Sequence, residues 1–274
     1  MSLRFRVLGS GSSGNATLVE GGGKRILLDA GLGPRELADR LLSAGVDPAS
    51  IDAVFLSHEH SDHSRGAVSF SRKWGVRLAG SRGTYAAASL GASEIAGYDV
   101  LDPGSHRSIG ALTISAIPVP HDAAAPIAFV VSCAGVSLGH ATDLGHLGRG
   151  LIEAFRDCQA VLVESNYDPG MLRDGPYPWS LKERITSPLG HLSNGDVALY
   201  LERHLSERCE TVVLAHLSRN NNHPEVARMM ADVALRRRGR DDVRLEMTGP
   251  EGTGWIEAVA ARPAAAVPGQ MRLF

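Results

Sequence analysis

Three imidazoles and the Asp62 carboxylate stand together in His58-Glu59-His60-Ser61-Asp62-His63. In a core each of these groups would need a polar partner. On a loop they can converge on a cation, because imidazole and carboxylate are ligand types for zinc, manganese and iron. Six residues cannot close such a site. Other ligand-type residues come close after apolar runs: His121 after Leu112–Pro118, Asp143 past Val136–Leu138 and His216 after Thr211–Ala215. Active sites of α/β folds gather at the C-terminal ends of strands. His106, His140, His146, His204 and His223 lack this placement and read as surface, capping or packing histidines, His140 being nearest to the pattern.

The elements that must position these residues follow from periodicity. Leu3–Leu8, Ala16–Val19 and Arg25–Asp29 read as strands between glycine-rich breaks. Ile51–Leu56, directly before the histidine cluster, is another strand. Val76–Ala79, Ile127–Ser132 and Ala160–Val163 join the three apolar runs already named. Helices are expected from Pro34 to Leu42, ended by Gly45, and over Arg65–Trp74, Leu147–Arg156, Gly195–Leu205 and Pro224–Arg237. Ser193 with Asp196 reads as a helix start, and so does Asn222 before His223-Pro224. Strands with interspersed helices predict a layered α/β protein. No internal repeat is visible.

The chain has 274 residues, 28 Lys+Arg against 30 Asp+Glu, and 43% hydrophobic residues, which excludes wholesale disorder. No window approaches the roughly 18 unbroken apolar residues of a membrane span. Met1-Ser2-Leu3-Arg4-Phe5-Arg6 runs straight into a strand pattern, so no signal peptide is expected. Cys133, Cys158 and Cys209 are odd in number and form no C-x-x-C, which argues against a disulfide framework and for a reducing cytoplasm.

The set His58-x-His60-x-Asp62-His63, His121, Asp143 and His216 resembles the metallo-β-lactamase-fold hydrolases. Leu8-Gly9-Ser10-Gly11-Ser12-Ser13-Gly14-Asn15 and Leu27-Leu28-Asp29-Ala30-Gly31 match that family's opening strands. The resemblance implies an αββα sandwich holding two divalent ions, zinc or manganese, with iron a further option. It assigns His58, His60 and His121 to one metal, and Asp62, His63 and His216 to the other. Asp143 bridges them, and Asp29 orients a ligand. Thr142-Asp143-Leu144-Gly145, Glu164-Ser165-Asn166-Tyr167-Asp168, Gly190-His191-Leu192-Ser193-Asn194 and His216-Leu217-Ser218-Arg219-Asn220-Asn221 are similar to the YycJ/WalJ group, regarded as 5′→3′ exonucleases linked to DNA repair. Tyr167 stands where that group commonly has His. By the same resemblance Asp62 orients the attacking water, and Glu164 with His191 forms a proton relay, as in tRNase Z-like enzymes. Substrate phosphate is assigned to Ser193, Ser218, Arg219 and Asn220, with the Gly11–Gly14 loop offering backbone amides. The basic run Arg236, Arg237, Arg238 and Arg240 reads either as a contact to a DNA backbone or as a solvated helix end.

From residue 260 the chain turns Ala- and Pro-rich and reads as a flexible tail, so the hydrolase domain is expected over residues 1–259 and the tail over 260–274. The tail ends in Gln270-x-x-Leu273-Phe274, which resembles the short peptide that binds bacterial DNA sliding clamps. The expected function is thus a dinuclear phosphodiesterase, a 5′→3′ DNA exonuclease. Two alternatives are a small-molecule hydrolase acting on a cyclic phosphodiester, thioester or lactone, and a non-catalytic clamp adaptor. Aromatics at 5% of the chain favour the former mildly, since single-strand binders stack bases on aromatic rings.

Overall fold

Leu3, Phe5 and Val7 are buried and alternate with the half-exposed Arg4 and Arg6, so the opening strand turns one apolar face inward. The computed structural model describes residues 2–88, 90 and 94–259. The first half of the chain forms β1 (Leu3–Gly9), β2 (Ala16–Gly21), β3 (Lys24–Leu28), α1 (Pro34–Ser43), β4 (Ala53–Phe55), α2 (Ser61–Ser64), α3 (Ala67–Trp74), β5 (Arg77–Gly80), α4 (Arg82–Ala87) and β6 (Tyr98–Val100). The second half forms β7 (His106–Ile109), β8 (Leu112–Pro118), β9 (Ile127–Cys133), β10 (Val136–Ala141), α5 (Arg149–Ala154), β11 (Ala160–Glu164), α6 (Pro169–Asp174), α7 (Trp179–Thr186), α8 (Asn194–Arg203), β12 (Thr211–Ala215), α9 (Pro224–Arg238), β13 (Arg244–Met247) and β14 (Ile256–Ala258).

Two seven-stranded sheets result, ordered β14-β1-β2-β3-β4-β5-β6 and β13-β12-β11-β10-β9-β8-β7. Both begin as antiparallel meanders and continue as parallel strands, β3 to β6 in one and β10 to β13 in the other. The two halves therefore share an architecture that no sequence repeat betrays. Between the sheets Leu3, Phe5, Ile26 and Leu28 meet Ile114, Phe129, Leu138 and Val213. Outside the first sheet, Leu37, Leu41 and Phe70 pack on Leu18, Leu27 and Val54. Outside the second, Val197, Leu201, Ala231 and Leu235 cover Val161, Val163, Val212 and Leu214. These four layers are the αββα sandwich.

The parallel strands set the site, because they all end on the same side of the sandwich. The α8 start is the expected one: Ser193 caps it, with Ser193 and Asp196 forming a reciprocal capping box. For α9 the cap falls one residue later than expected, on His223, whose ring accepts from the Glu225 amide. All three cysteines are free and buried. No helix among the described residues is long and apolar enough to cross a membrane.

Candidate metal centre

Strand ends deliver the ligand-type residues. His58 follows β4, His121 follows β8, Asp143 follows β10, Glu164 closes β11 and His216 follows β12. Asp29, Asp143 and His216, just past β3, β10 and β12, have φ of 62°, 59° and 52°. Left-handed backbone is costly for residues other than glycine, and at functional sites it serves to aim side chains. Here it turns the chain sharply as it leaves each strand. The short α2 bends the histidine cluster back on itself. Two backbone bonds anchor it: Asn15 N to Asp62 O at 2.7 Å and Ala30 N to His63 O at 2.8 Å.

The cluster closes into two groups. His58, His60 and His121 offer ring nitrogens that all lie within 4.8 Å of one another, and so do the donor atoms of Asp62, His63 and His216. Asp143 adjoins both: its carboxylate lies within 4.8 Å of the donor nitrogens of His58 and His63, with Oδ2 2.8 Å from His63 Nε2 and Oδ1 3.4 Å from His216 Nδ1. Four imidazoles share one pattern. Nδ1 of His58 meets Ser57 Oγ at 3.0 Å, that of His63 meets Asp29 Oδ2 at 2.8 Å, that of His121 meets Gly190 O at 3.1 Å and that of His216 meets Glu164 Oε2 at 2.9 Å. With the Nδ1 proton assigned to those acceptors, each Nε2 turns its lone pair to the interior of the cage, that of His63 also meeting Asn15 Nδ2. His58 Nε2 and His216 Nε2 are buried without a hydrogen-bond partner. Buried lone pairs without a donor are costly, and a divalent cation is what this donor set fits.

The electrostatics agree with that fit. Burial first, then the neighbouring imidazole of His63, holds His58 well below the ordinary histidine range. Burial alone would raise Asp143, but His216 and His63 hold its carboxyl well below the usual value. Glu164 is likewise pushed up by burial, yet His191 and the bond from His216 bring it to about 2. These carboxylates are ionised beside imidazoles that are poised to trade protons for metal. Beneath the cage His140 contacts Thr17 Oγ1 at 3.2 Å, and burial lowers it to about 4, so it stays a neutral packing residue.

Asp29 accepts from Ser57 N at 2.7 Å and Ser57 Oγ at 2.9 Å as well as from His63, which locks that ring. Glu164 gathers His191 Nδ1 at 3.0 Å, His216 Nδ1 and the Leu192 amide at 2.9 Å. His191 lines a cavity of about 260 Å3 above the cage, together with Ser12, His60, Asp62, His121, Asp143, His216 and Ser218. A wider depression of about 550 Å3 on the β2–β3 hairpin carries charges that pair among themselves, Arg4 and Arg25 with Glu20.

Not every expected contact reaches the cavity. Ser193 is 7% exposed, and its hydroxyl is engaged with Asp196 at 2.6 Å, so the helix cap occupies it. Arg219 and Asn220 sit exposed near the rim, with Arg219 Nη2 3.4 Å from Ser13 Oγ and Asn220 Nδ2 3.2 Å from Tyr177 Oη. In the basic run, Arg238 donates to Leu205 O and Arg240 to Cys209 O, before β12 begins and so at the far end of that strand from His216. Sequence reading missed Asn15, Asp122 and Arg184. Asn15 Nδ2 lies 3.0 Å from His63 Nε2, and its signal was the Gly11–Gly14 loop that ends beside it. The others lie on segments without periodicity. Gln270, Leu273 and Phe274 lie outside the described residues.

Residues 9–191 match the metallo-beta-lactamase superfamily profile. The chain is 34% identical over 233 residues to the exodeoxyribonuclease WalJ of Streptococcus pneumoniae, covering 84% of this chain and 87% of that one. It is 32% identical over 241 residues to the exodeoxyribonuclease YycJ of Bacillus anthracis, covering 87% and 91%. The crystal structure of the fold protein YhfI from Bacillus subtilis aligns at a TM-score of 0.73 with 15% identity, over 94% of this chain and 100% of that one. Strand order, the ligand-type residues at the strand ends and these likenesses agree: the chain belongs to the metallo-β-lactamase superfamily.

Proposed function

We propose that this protein is a metal-dependent phosphodiesterase that degrades DNA as an exonuclease, with 5′→3′ polarity and a role in repair. The observation that carries the reading is the pair of donor groups joined by Asp143, in a chain one-third identical to proteins named exodeoxyribonucleases. His58, His60 and His121 would hold one divalent cation and Asp62, His63 and His216 another, with the Asp143 carboxylate available to both. When bound, these ions supply Lewis acidity that activates water and counters phosphoryl charge.

The remaining chemistry falls to the protein. Asp62 is half-buried at the cavity wall and orients the attacking water, accepting its proton. The departing oxygen needs a proton, and His191 is placed to give it. Its Nδ1 is tied to Glu164, which leaves Nε2 free for the leaving group. Glu164 fixes the ring and favours its protonated form: burial alone would lower the His191 pKa, but the Glu164 charge and bond raise it. Ser218 and Ser12 line the cavity and Arg219 stands near its rim, where they can meet the phosphate chain.

The reading is tested with labelled single- and double-stranded DNA, RNA and a bis-phosphodiester, each with zinc or manganese, and with Asp62→Ala as blank. Release of mononucleotides from DNA by the wild type alone supports it. Turnover of the small diester without any DNA cleavage would move the assignment to a small-molecule hydrolase. His191→Ala should lower turnover by about 10²–10⁴-fold while bound metal, measured by atomic emission, stays at the wild-type level. Loss of metal from this variant would make His191 a ligand instead, a role its closeness to Asp143 and His216 also permits.

The tail supports a second partner. A polar anchor and two apolar plugs on an Ala/Pro tether suit a shallow pocket, and we assign Gln270, Leu273 and Phe274 to the DNA sliding clamp. Deleting residues 270–274 should abolish capture by immobilised clamp and spare nuclease activity. Undiminished capture refutes the assignment.

A further inference from the structure

One wall of the cavity is built by a segment that supplies none of the ligand atoms. α6 and α7 rest on a small apolar cluster of their own, Tyr167, Leu172 and Ile185, with Tyr177 and Leu181 packed against it. Lys182 Nζ ties the link between the two helices by donating to Arg173 O at 2.7 Å and Gly175 O at 2.8 Å. The segment is therefore held as a unit, and Tyr177, Leu181 and Arg184 turn into the cavity.

Arg184 is the one Arg or Lys among the described cavity-lining residues. Its Nε donates to Asp122 Oδ2 at 2.5 Å, and its Nη groups bond no protein atom among the described residues. Asp122 in turn lies 3.3 Å from His121 Nε2, so a single carboxylate separates the guanidinium from the donor cluster. A guanidinium with free Nη groups beside a phosphodiester site is a phosphate receptor. Tyr177 lies on the same wall, its hydroxyl accepting from Asn220 Nδ2. Trp179, the other aromatic of this segment, is 70% exposed, bonds Glu183 and lies outside the cavity lining. A cation and an aromatic ring on one wall match a ligand that is anionic at one end and planar at the other. The cavity, about 260 Å3, falls below the roughly 300–1,000 Å3 of small-molecule clefts.

We propose that Tyr177 and Arg184 form a nucleotide subsite beside the metal centre. The Nη groups of Arg184 take the phosphate next to the scissile one, and the Tyr177 ring stacks on the attached base. This rests on the phosphodiesterase reading and deepens it: a base stacked on Tyr177 has left its partner strand, so the enzyme consumes unpaired ends.

The test is binding of thymidine 5′-monophosphate and of 2-deoxyribose 5-phosphate to the metal-loaded protein by calorimetry, alongside cleavage of a single strand with a normal or an abasic terminal unit. Base stacking of the usual strength makes the wild type favour the base-bearing ligand by about 5- to 150-fold. Tyr177→Leu keeps apolar bulk for the small cluster and should remove that preference, while Tyr177→Phe keeps the ring and should retain it. Arg184→Ala should weaken both ligands alike, by about tenfold or more. Equal wild-type affinity for the two ligands, or an unchanged preference in Tyr177→Leu, overturns the subsite. If the preference follows this pattern and no phosphodiester is cleaved, the subsite stands and the nuclease reading falls; if DNA is cleaved and the preference is absent, the reverse holds.

Discussion

Asp143→Asn should reduce phosphodiester cleavage by about 10²–10³-fold and lower the metal content of the protein. The substitution keeps the size of the side chain and tolerates the left-handed backbone at φ 59°. It removes one negative charge from a site where Asp143 is 3% exposed and faces His63, His191 and His216. Its two oxygens face His63 and His216 of one donor group, and the carboxylate also lies within 4.8 Å of the donor nitrogen of His58 in the other, a shared charge that a neutral amide cannot reproduce. Metal-ion stabilisation of charge is worth several kcal/mol, and about 1.4 kcal/mol is tenfold in rate. Folding should survive, because the imidazoles keep their Nδ1 partners Ser57, Asp29, Gly190 and Glu164. Metal analysis beside a full kinetic comparison decides the matter. If the Asp143→Asn variant held two ions and turned over like the wild type, Asp143 would not span the groups.

Much of the donor set was legible because its chemistry is dense and local. His58 to His63 occupy one hexapeptide, and His121, Asp143 and His216 each follow an apolar strand whose period is plain. The central strands were equally plain: β8 and β12 lie where their apolar runs place them. What stayed hidden was shaped by tertiary contacts. β6, β7 and β13 are edge strands of only three or four residues, largely half-exposed, too short for their alternation to stand out. α6 and α7 are short, and their burial serves a cluster of a few residues, too few to give a helical period. Arg184 therefore carried no signal, although it faces the cavity. Ser193 shows the opposite case. Its sequence supported both a cap and a phosphate contact, and the reciprocal bonds with Asp196 claim the hydroxyl for the cap.

Gly31→Ala should damage the protein more broadly than any ligand change. A Cβ on Gly31 would stand 1.6 Å from Asp62 O and 2.2 Å from Asp62 C, and both are backbone atoms. The Gly31 amide donates to Asn15 O at 2.8 Å, and Asn15 N donates to Asp62 O at 2.7 Å, so three chain segments meet at this point. A methyl group can enter only if α2 moves away by more than an ångström, and α2 carries Asp62 and His63. Overpacking of this kind destabilises by about 1–3 kcal/mol or more, roughly a 2–12 °C fall in melting temperature for a chain of this size. A displacement of about 1 Å in reacting groups lowers turnover by about 10²-fold, and the second donor group should lose metal with it. Gly150→Ala is the control. Gly150 is exposed in α5 with nothing within 4 Å of a built Cβ, so this change should be neutral or stabilise by about 0.4–1 kcal/mol. Thermal melts and metal analysis of the two variants side by side separate the cases. If Gly31→Ala melts like the wild type and holds both ions, the close approach of these backbones does not position the site, and the account of how the strand ends are held together fails.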